Sequence, residues 1–324
     1  MTPQALNQGL GNRHDNHEYA IDTLAATVTA LHGKTLALDP VLDSRLAPCV
    51  PFSCDSLVYR AARRACAQMG FIPADAHAVA QAWQASAERS GHFDPLCWPD
   101  NPADFGIAPF PRANAFAPCP QALGLYAVLP DAAWVGRMAR AGVPTVQLRF
   151  KSDVPSAVRA EVQAAVVAVQ GTGARLFIND HWREAIDAGA YGVHLGQEDL
   201  ALTRADDLEA IRCAGLRLGL STHGYAEMLR AEAVSPSYIA LGAVFPTTLK
   251  AMATPPQGSG RLAAYAKLLR DYPLVAIGGI DAARLPEVLR SGVGSVGVVR
   301  ALVAAEDPEG VAARWGAVIS EFQA

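Results

Sequence analysis

The sequence predicts an α/β fold: a (β/α)8 TIM barrel preceded by a small, mostly helical N-terminal segment. Three observations carry that reading. From residue 125 onward, short β-type runs alternate strictly with helical segments, eight of each. Such alternation implies parallel strands joined by crossover helices. The turn after the first run, Leu129-Pro130-Asp131, lacks the glycine fingerprint that an open dinucleotide-type sheet needs there. Polar residues gather at the C-terminal ends of the runs, the face on which a closed barrel carries its active site.

Along the chain, residues 1–17 show a weak pattern that leaves room for disorder. Residues 61–69 and 74–89 read as two helices with apolar side chains at helical spacing. A Pro-rich stretch follows: Pro95-Leu-Cys-Trp-Pro-Asp-Asn-Pro, then Pro109-Phe-Pro and Pro118-Cys-Pro. Proline fixes φ and removes a backbone donor, so this stretch reads as an extended surface linker. Residues 1–115 are therefore taken as an N-terminal extension and 116–324 as the barrel. The expected strands are 125–129, 145–149, 175–178, 192–194, 217–220, 238–241, 274–277 and 295–299. Helical segments such as 132–141, 156–169, 200–213 and 282–291 lie between them. Eight units in about 200 residues sit at the small end for such a barrel.

Composition narrows the function. With 51% hydrophobic and 18% charged residues among 324, a large buried core is available. A net charge of −4 without any Lys/Arg block argues against a nucleic-acid partner. No apolar run reaches the ~18 residues that span a bilayer. The first twenty residues are polar and lack the apolar h-region of a secretory signal. The six cysteines then read as reduced thiols of a cytoplasmic protein. Five of them precede residue 120 and His92 lies among them, but there is no CxxC pair, and Cys49-x4-Cys54 has no second pair at zinc spacing. Small molecules are the expected partners, and a homo-oligomer stays open.

The strand ends suggest the chemistry. The third run ends in Asn179-Asp180 and the fourth in His194-Leu-Gly-Gln-Glu-Asp199. Singly, each Asp reads as a helix cap. Together, after consecutive strands, Asp180 and Asp199 read as hard oxygen ligands for Mg²⁺, which takes one or two carboxylates plus substrate phosphates. The second run ends in Gln147-Leu-Arg149-Phe-Lys151, and alternation points Gln147, Arg149 and Lys151 to one side. Ser221-Thr-His223 follows the fifth run, and Phe245-Pro-Thr247-Thr248-Leu-Lys250 the sixth. Gly278-Gly279 follows the seventh and Val299-Arg300 the eighth, where these barrels commonly hold phosphate. His194 reads equally as a site residue and as a satisfied core histidine, His223 equally as a site residue and as a helix cap, and Lys250 as a phosphate-binding lysine in preference to a solvated one. No Cys–His pair, Ser-His-Asp set or Schiff-base lysine stands out. The set suits stabilisation of a departing phosphate by charge and position.

The ordered series QLRFK, FINDH, GVHLGQEDL, GLSTHG, ALGAVFPTTLK, PPQG and VAIGGI resembles the thiamine-phosphate synthase (thiamine-phosphate pyrophosphorylase) family over residues 121–324. The resemblance implies a transferase of thiamine biosynthesis that joins hydroxymethylpyrimidine diphosphate to thiazole phosphate and releases pyrophosphate. It implies that the pyrimidine diphosphate meets Gln147, Arg149, Lys151, Asn179, Ser221 and Lys250, with Arg149, Lys151 and Lys250 easing departure of the pyrophosphate. Asp180 and Asp199 would carry Mg²⁺, and the thiazole phosphate would meet Thr247, Thr248, Gly279, Val299 and Arg300. The implied mechanism is dissociative. An electron-rich aminopyrimidine sheds pyrophosphate, and the thiazole nitrogen captures the resulting methylene cation without a covalent enzyme intermediate.

Three positions depart from the family pattern. Thr247-Thr248-Leu249-Lys250 stands for Thr-x-Thr-Lys, Arg300 for the usual Ser, and Phe150 for a common Glu. Upstream, Phe52-Ser-Cys-Asp-Ser and the two helices are similar to the C-terminal part of a ribokinase-like hydroxymethylpyrimidine kinase, without the glycines of its turn. That similarity implies a degenerate kinase-like remnant or a scaffold. Two rival functions remain: a thiazole tautomerase-like paralogue, and a non-catalytic sensor of thiamine phosphates.

Overall fold

The computed structural model describes residues 3–38, 56–247 and 254–323, with side chains from residue 16 onward. The chain forms two compact units, Met1–Ala108 and Pro109–Ala324. Cys49, Cys54 and the Phe52-Ser-Cys-Asp part of the kinase-like motif lie outside the described residues. No described helix is long and apolar enough to cross a membrane.

The first unit holds α1 (Pro3–Leu36), α2 (Leu57–Gln68), α3 (Pro73–Ser90) and a short 3₁₀ turn, Pro102–Phe105. The room left for disorder at the N-terminus is filled by helix. α1 is one continuous element, anchored by the buried Ile21, Ala25 and Val28 and by Glu18 and Asp22, which pair with Arg60 and Arg64 of α2. α2 begins upstream of residue 61 because the Ser56 hydroxyl accepts the Tyr59 N–H at 3.1 Å, a serine N-cap. The first part of the Pro-rich stretch is not a free linker. Its Trp98 packs among His32, Phe71 and Trp83, with ring centroids 5.0 to 5.7 Å away. The buried Asp104 then receives a two-pronged bond from Arg89 at 2.7 and 3.0 Å.

The second unit is a closed barrel of eight parallel strands, each paired with its neighbours in sequence and the first with the last. The strands are β1 (Gly124–Leu129), β2 (Thr145–Leu148), β3 (Arg175–Asn179), β4 (Gly192–Leu195), β5 (Arg217–Thr222), β6 (Tyr238–Leu241), β7 (Leu274–Ile277) and β8 (Ser295–Val298). The covering helices are α4 (Ala132–Arg140), α5 (Pro155–Ala168), α6 (Trp182–Ala188), α7 (Gln197–Leu202), α8 (Ala205–Cys213), α9 (Tyr225–Ala233), α10 (Gly258–Leu268), α11 (Leu285–Leu289), α12 (Arg300–Val303) and α13 (Pro308–Gln323). The expected helix over 200–213 is two helices. Thr203 turns extended, with ψ of 124°, and the Asp207 carboxylate restarts the next helix by accepting the Arg204 N–H. The expected helix over 282–291 is confined to α11, which starts where Pro286 suits a first helical turn.

Barrel closure requires side chains of matched size, because strand neighbours share one interior layer. Three ladder pairs place a glycine directly beside a large residue: Phe177 with Gly192, Tyr238 with Gly219 and Ile277 with Gly297. A Cβ on Gly219 would lie 2.1 Å from the Tyr238 ring, and one on Gly192 2.5 Å from Phe177. Tyr126, Val128, Phe177, Tyr238, Ala240 and Val275 then fill the lumen. The residues after Pro109 also belong to this unit. Phe116 is buried under Arg212, Phe110 packs on Tyr272 and Arg112 pairs with the buried Glu232.

Candidate active site

A cavity of about 630 Å³ opens at the C-terminal ends of the strands. Among its lining residues are Gln147, Arg149, Asn179, Ser221, Thr247, Gly279, Val299 and Arg300, all anticipated from sequence. Lys151 is not in the lining and is exposed. β2 ends at Leu148, and the two-residue alternation does not continue to residue 151. Thr248, Leu249 and Lys250 lie outside the described residues.

The predicted metal ligands Asp180 and Asp199 are not in the lining; they form an acidic pair beside its residues Asn179 and His194. Asp180 stands at the end of β3 with a φ of 64°, a left-handed conformation that Asp and Asn tolerate better than most residues. Its N–H donates to the His194 carbonyl at 3.0 Å, tying the ends of β3 and β4 together. Asp199 caps α7 by accepting the Gly196 N–H at 3.1 Å. The two carboxyls come within hydrogen-bonding reach of each other. Although Asp180 keeps an exposed edge, burial of its carboxyl and then the Asp199 charge push its pKa up to about 6, against opposing pulls from His181 and Arg149. Like charges set this close accommodate a small oxygen-seeking cation. Among the described residues no third His, Cys, Asp or Glu joins a metal-binding cluster, so such an ion would complete its shell with water and substrate oxygens.

The floor is a buried hydrogen-bonded chain. The Tyr126 and Tyr238 hydroxyls are 2.7 Å apart, and the Tyr238 hydroxyl lies 2.7 Å from Nδ1 of His194. Nε2 of His194 lies 2.8 Å from the Ser221 hydroxyl. Burial holds the His194 pKa down to about 4, so the ring is neutral near pH 7 and one ring nitrogen donates while the other accepts. Beside the chain, Gln147 donates from Nε2 to Oδ1 of Asn179 at 2.7 Å, and Gln197 donates to the Ser221 carbonyl at 2.8 Å. His223 lines the cavity as well, held at 2.6 Å by Glu227 of α9.

The β7 and β8 side of the mouth is built from backbone and guanidinium groups. Gly278 and Gly279 have φ of 104° and 64°. A Cβ on Gly279 would come 2.5 Å from the Pro246 carbonyl oxygen, so only glycine fits this contact between the β6 and β7 rims. Arg284 lines the cavity here, and so does Arg300. Sequence reasoning did not single out Tyr126, Tyr238 or Arg284. The first two were legible as inward positions of β1 and β6, in step with Val128 and Ala240. Arg284 sits beyond a strand end, where alternation carries no information.

A family model described as Thiamine monophosphate synthase matches residues 125–302. The chain is 53% identical over 209 residues to the thiamine-phosphate synthase of Neisseria meningitidis serogroup B, a match covering 64% of this chain and 97% of the relative. It is 54% identical over 192 residues to the thiamine-phosphate synthase of Escherichia coli O1:K1, covering 59% and 90%. Among solved structures, the thiamine phosphate pyrophosphorylase from Pyrococcus furiosus superposes with a TM-score of 0.55 at 26% identity, over 62% of this chain and 98% of that one.

Proposed function

The chain belongs to the thiamine monophosphate synthase family, and from that premise we propose that its barrel joins hydroxymethylpyrimidine diphosphate to thiazole phosphate, forming thiamine phosphate and pyrophosphate. The observation that carries this reading is an acidic pair, Asp180 and Asp199, beside the lining residues Asn179 and His194 at the β3 and β4 ends, with a glycine-and-arginine rim on the β7 and β8 side of the same cavity. Asp180 and Asp199 suit a metal-bound diphosphate, while Gly278, Gly279 and Arg300 suit a second phosphate. A tautomerase acting on thiazole phosphate alone would have no use for the acidic pair.

Asp180 and Asp199 would hold Mg²⁺, which neutralises charge on the departing pyrophosphate when bound. Arg149, half-buried at the end of β2, donates to the same oxygens, and Asn179 and Gln147 fix the diphosphate end of the pyrimidine. Ser221 hydrogen-bonds the ring's polar edge while Tyr126 and Tyr238 give it a dry floor. The C–O bond to pyrophosphate breaks as the amino group feeds electrons to the exocyclic methylene. A C–N bond from the thiazole nitrogen then forms on the same carbon. Thr247, Gly279 and the Val299–Arg300 turn hold the thiazole phosphate so that this nitrogen faces it. For Thr248, Lys250 and the exposed Lys151 the roles proposed are those the family resemblance implies. Four described cysteines, Cys66, Cys97, Cys119 and Cys213, are free thiols, in keeping with the reducing cytoplasm.

The test is pyrophosphate release by the purified protein. Release is expected with both substrates and Mg²⁺, and none when either substrate or the metal is withheld. Thiazole isomerisation without pyrophosphate would instead identify a tautomerase, and binding without turnover a sensor.

A further inference from the structure

Arg284 joins the two loops that flank the glycine-rich rim. It follows β7, and its Nη1 donates to the Gly279 carbonyl at 2.8 Å. Its guanidinium lies over the Phe245 ring, 4.6 Å from the centroid, on the loop that follows β6. Asp281 completes the clamp. Its Oδ1 accepts the Arg284 backbone N–H at 3.0 Å, and its Oδ2 lies 3.6 Å from Nη1.

Beneath the guanidinium the two loops are already in register. Val244 N–H donates to Ile277 O at 3.0 Å, and Phe245 N–H to Gly278 O at 2.9 Å, continuing the ladder past both strand ends. Gly278 presses on Ala243 and Gly279 on Phe245 and Pro246, at separations that leave no room for a Cβ. Two backbone bonds and van der Waals contact set the spacing, but they leave the Gly279 peptide free to tilt, since glycine restricts φ and ψ least. The bond from Arg284 to the Gly279 carbonyl fixes that tilt. Through the same peptide plane it fixes the direction of the next N–H, which belongs to Ile280 at the cavity wall.

We propose that Arg284 is a positioning residue for the thiazole phosphate: stacked on Phe245, it locks the Gly278–Gly279 turn in the orientation that receives the phosphate. This rests on the function proposed above. Arginine is suited to the task because its planar fork stacks and hydrogen-bonds at once, which the point charge of lysine cannot do. Arg284 therefore acts through geometry, and the requirement is for the fork rather than for positive charge.

The experiment measures direct binding of thiazole phosphate by calorimetry, and steady-state kinetics, for Arg284→Lys, Arg284→Met, Phe245→Ala and the Arg284→Met/Phe245→Ala double variant. Both Arg284 variants are expected to weaken thiazole-phosphate binding about tenfold and raise its KM in parallel, with the KM for pyrimidine diphosphate within about twofold of the parent. The double variant is expected to be no worse than Arg284→Met alone, since coupled neighbours are non-additive. Rescue by Arg284→Lys, equal losses at both substrates, or additive losses in the double variant would each overturn the positioning role. Wild-type protein that binds no thiazole phosphate would overturn it together with the function it rests on. Normal wild-type binding with unaffected variants would overturn the positioning role alone.

Discussion

Asp180 combines two requirements that one residue seldom meets. Its backbone takes a φ of 64°, where most side chains pay a penalty, and its carboxyl faces that of Asp199. A left-handed residue costs about 1–2 kcal/mol unless it is Gly, Asn or Asp. Asp180→Ala would therefore confuse lost charge with backbone strain, whereas Asp180→Asn retains the conformation and removes only the charge. Asp180→Asn is expected to fold with a melting temperature no lower than the parent's, since it removes a charge that burial and Asp199 disfavour, and to lose about a hundredfold or more in kcat, on the order of 3 kcal/mol for one preorganised electrostatic contact. Its Mg²⁺ requirement should shift to higher concentration. A variant with the parent's kcat and Mg²⁺ dependence would remove Asp180 from the metal site. The same residue marks a limit of sequence reasoning. The Asn-Asp pair after an apolar run was legible as a strand end, but the left-handed turn that brings its carboxyl toward Asp199 was not, since it depends on the bond from Asp180 N–H to His194 O across the ladder.

At the scale of elements, the floor of the site depends on which residues are absent as much as on those present. Tyr238 can lie across the lumen, bonded to Tyr126 and His194, because its ladder partner on β5 is Gly219. A methyl at residue 219 would meet the ring at 2.1 Å, and the two hydrogen bonds of the Tyr238 hydroxyl resist its moving aside. Gly219→Ala is therefore expected to destabilise the barrel by about 3 kcal/mol, the upper part of the range for overpacked cores. For a unit of this size that corresponds to roughly 6–12 °C in melting temperature. Gly316→Ala is the internal comparison: it lies in α13 with no atom within 4 Å of the added methyl, and should raise stability by about 0.5–1 kcal/mol. Thermal melts of the two variants in parallel would settle the matter, and a neutral Gly219→Ala would mean that the tyrosine floor repacks freely. The eight strands were legible because alternation and length are local properties. The pairing of glycine with a large neighbour was not, since it joins residues of different strands, such as 219 and 238, whose register exists only once the barrel closes.

For the whole molecule, the matched family region and the lining of the cavity both fall within the unit that begins at Pro109. The sequence placed the barrel at residue 116 because prolines dominate the stretch before it, and composition does not reveal what a proline-rich segment packs against. Here residues 109–120 strap the barrel. Phe116 is 3% exposed, and the Arg112 guanidinium pairs with the Glu232 carboxylate, whose side chain is 4% exposed. The Phe116 N–H donates to the Ser235 carbonyl at 3.1 Å. Losing a buried Phe costs about 3–5 kcal/mol, and leaving a buried carboxylate without its cation about as much again. Their sum, roughly 6–10 kcal/mol, rivals the entire stability of an ordinary domain. Two truncated chains separate the roles of unit and strap. A chain beginning at Pro109 is expected to fold and to release pyrophosphate at close to the full-length rate, because it keeps both the strap and the cavity. A chain beginning at Gln121 keeps every cavity residue and loses the strap, and is expected to show no cooperative thermal transition. Arg112→Ala in the full-length protein should reproduce part of that loss, lowering stability by about 3 kcal/mol or more with little change in KM. A folded but inactive chain from Pro109 would assign residues 1–108 a part in the chemistry, and a chain from Gln121 as stable as the longer one would reduce the strap to a passive tether.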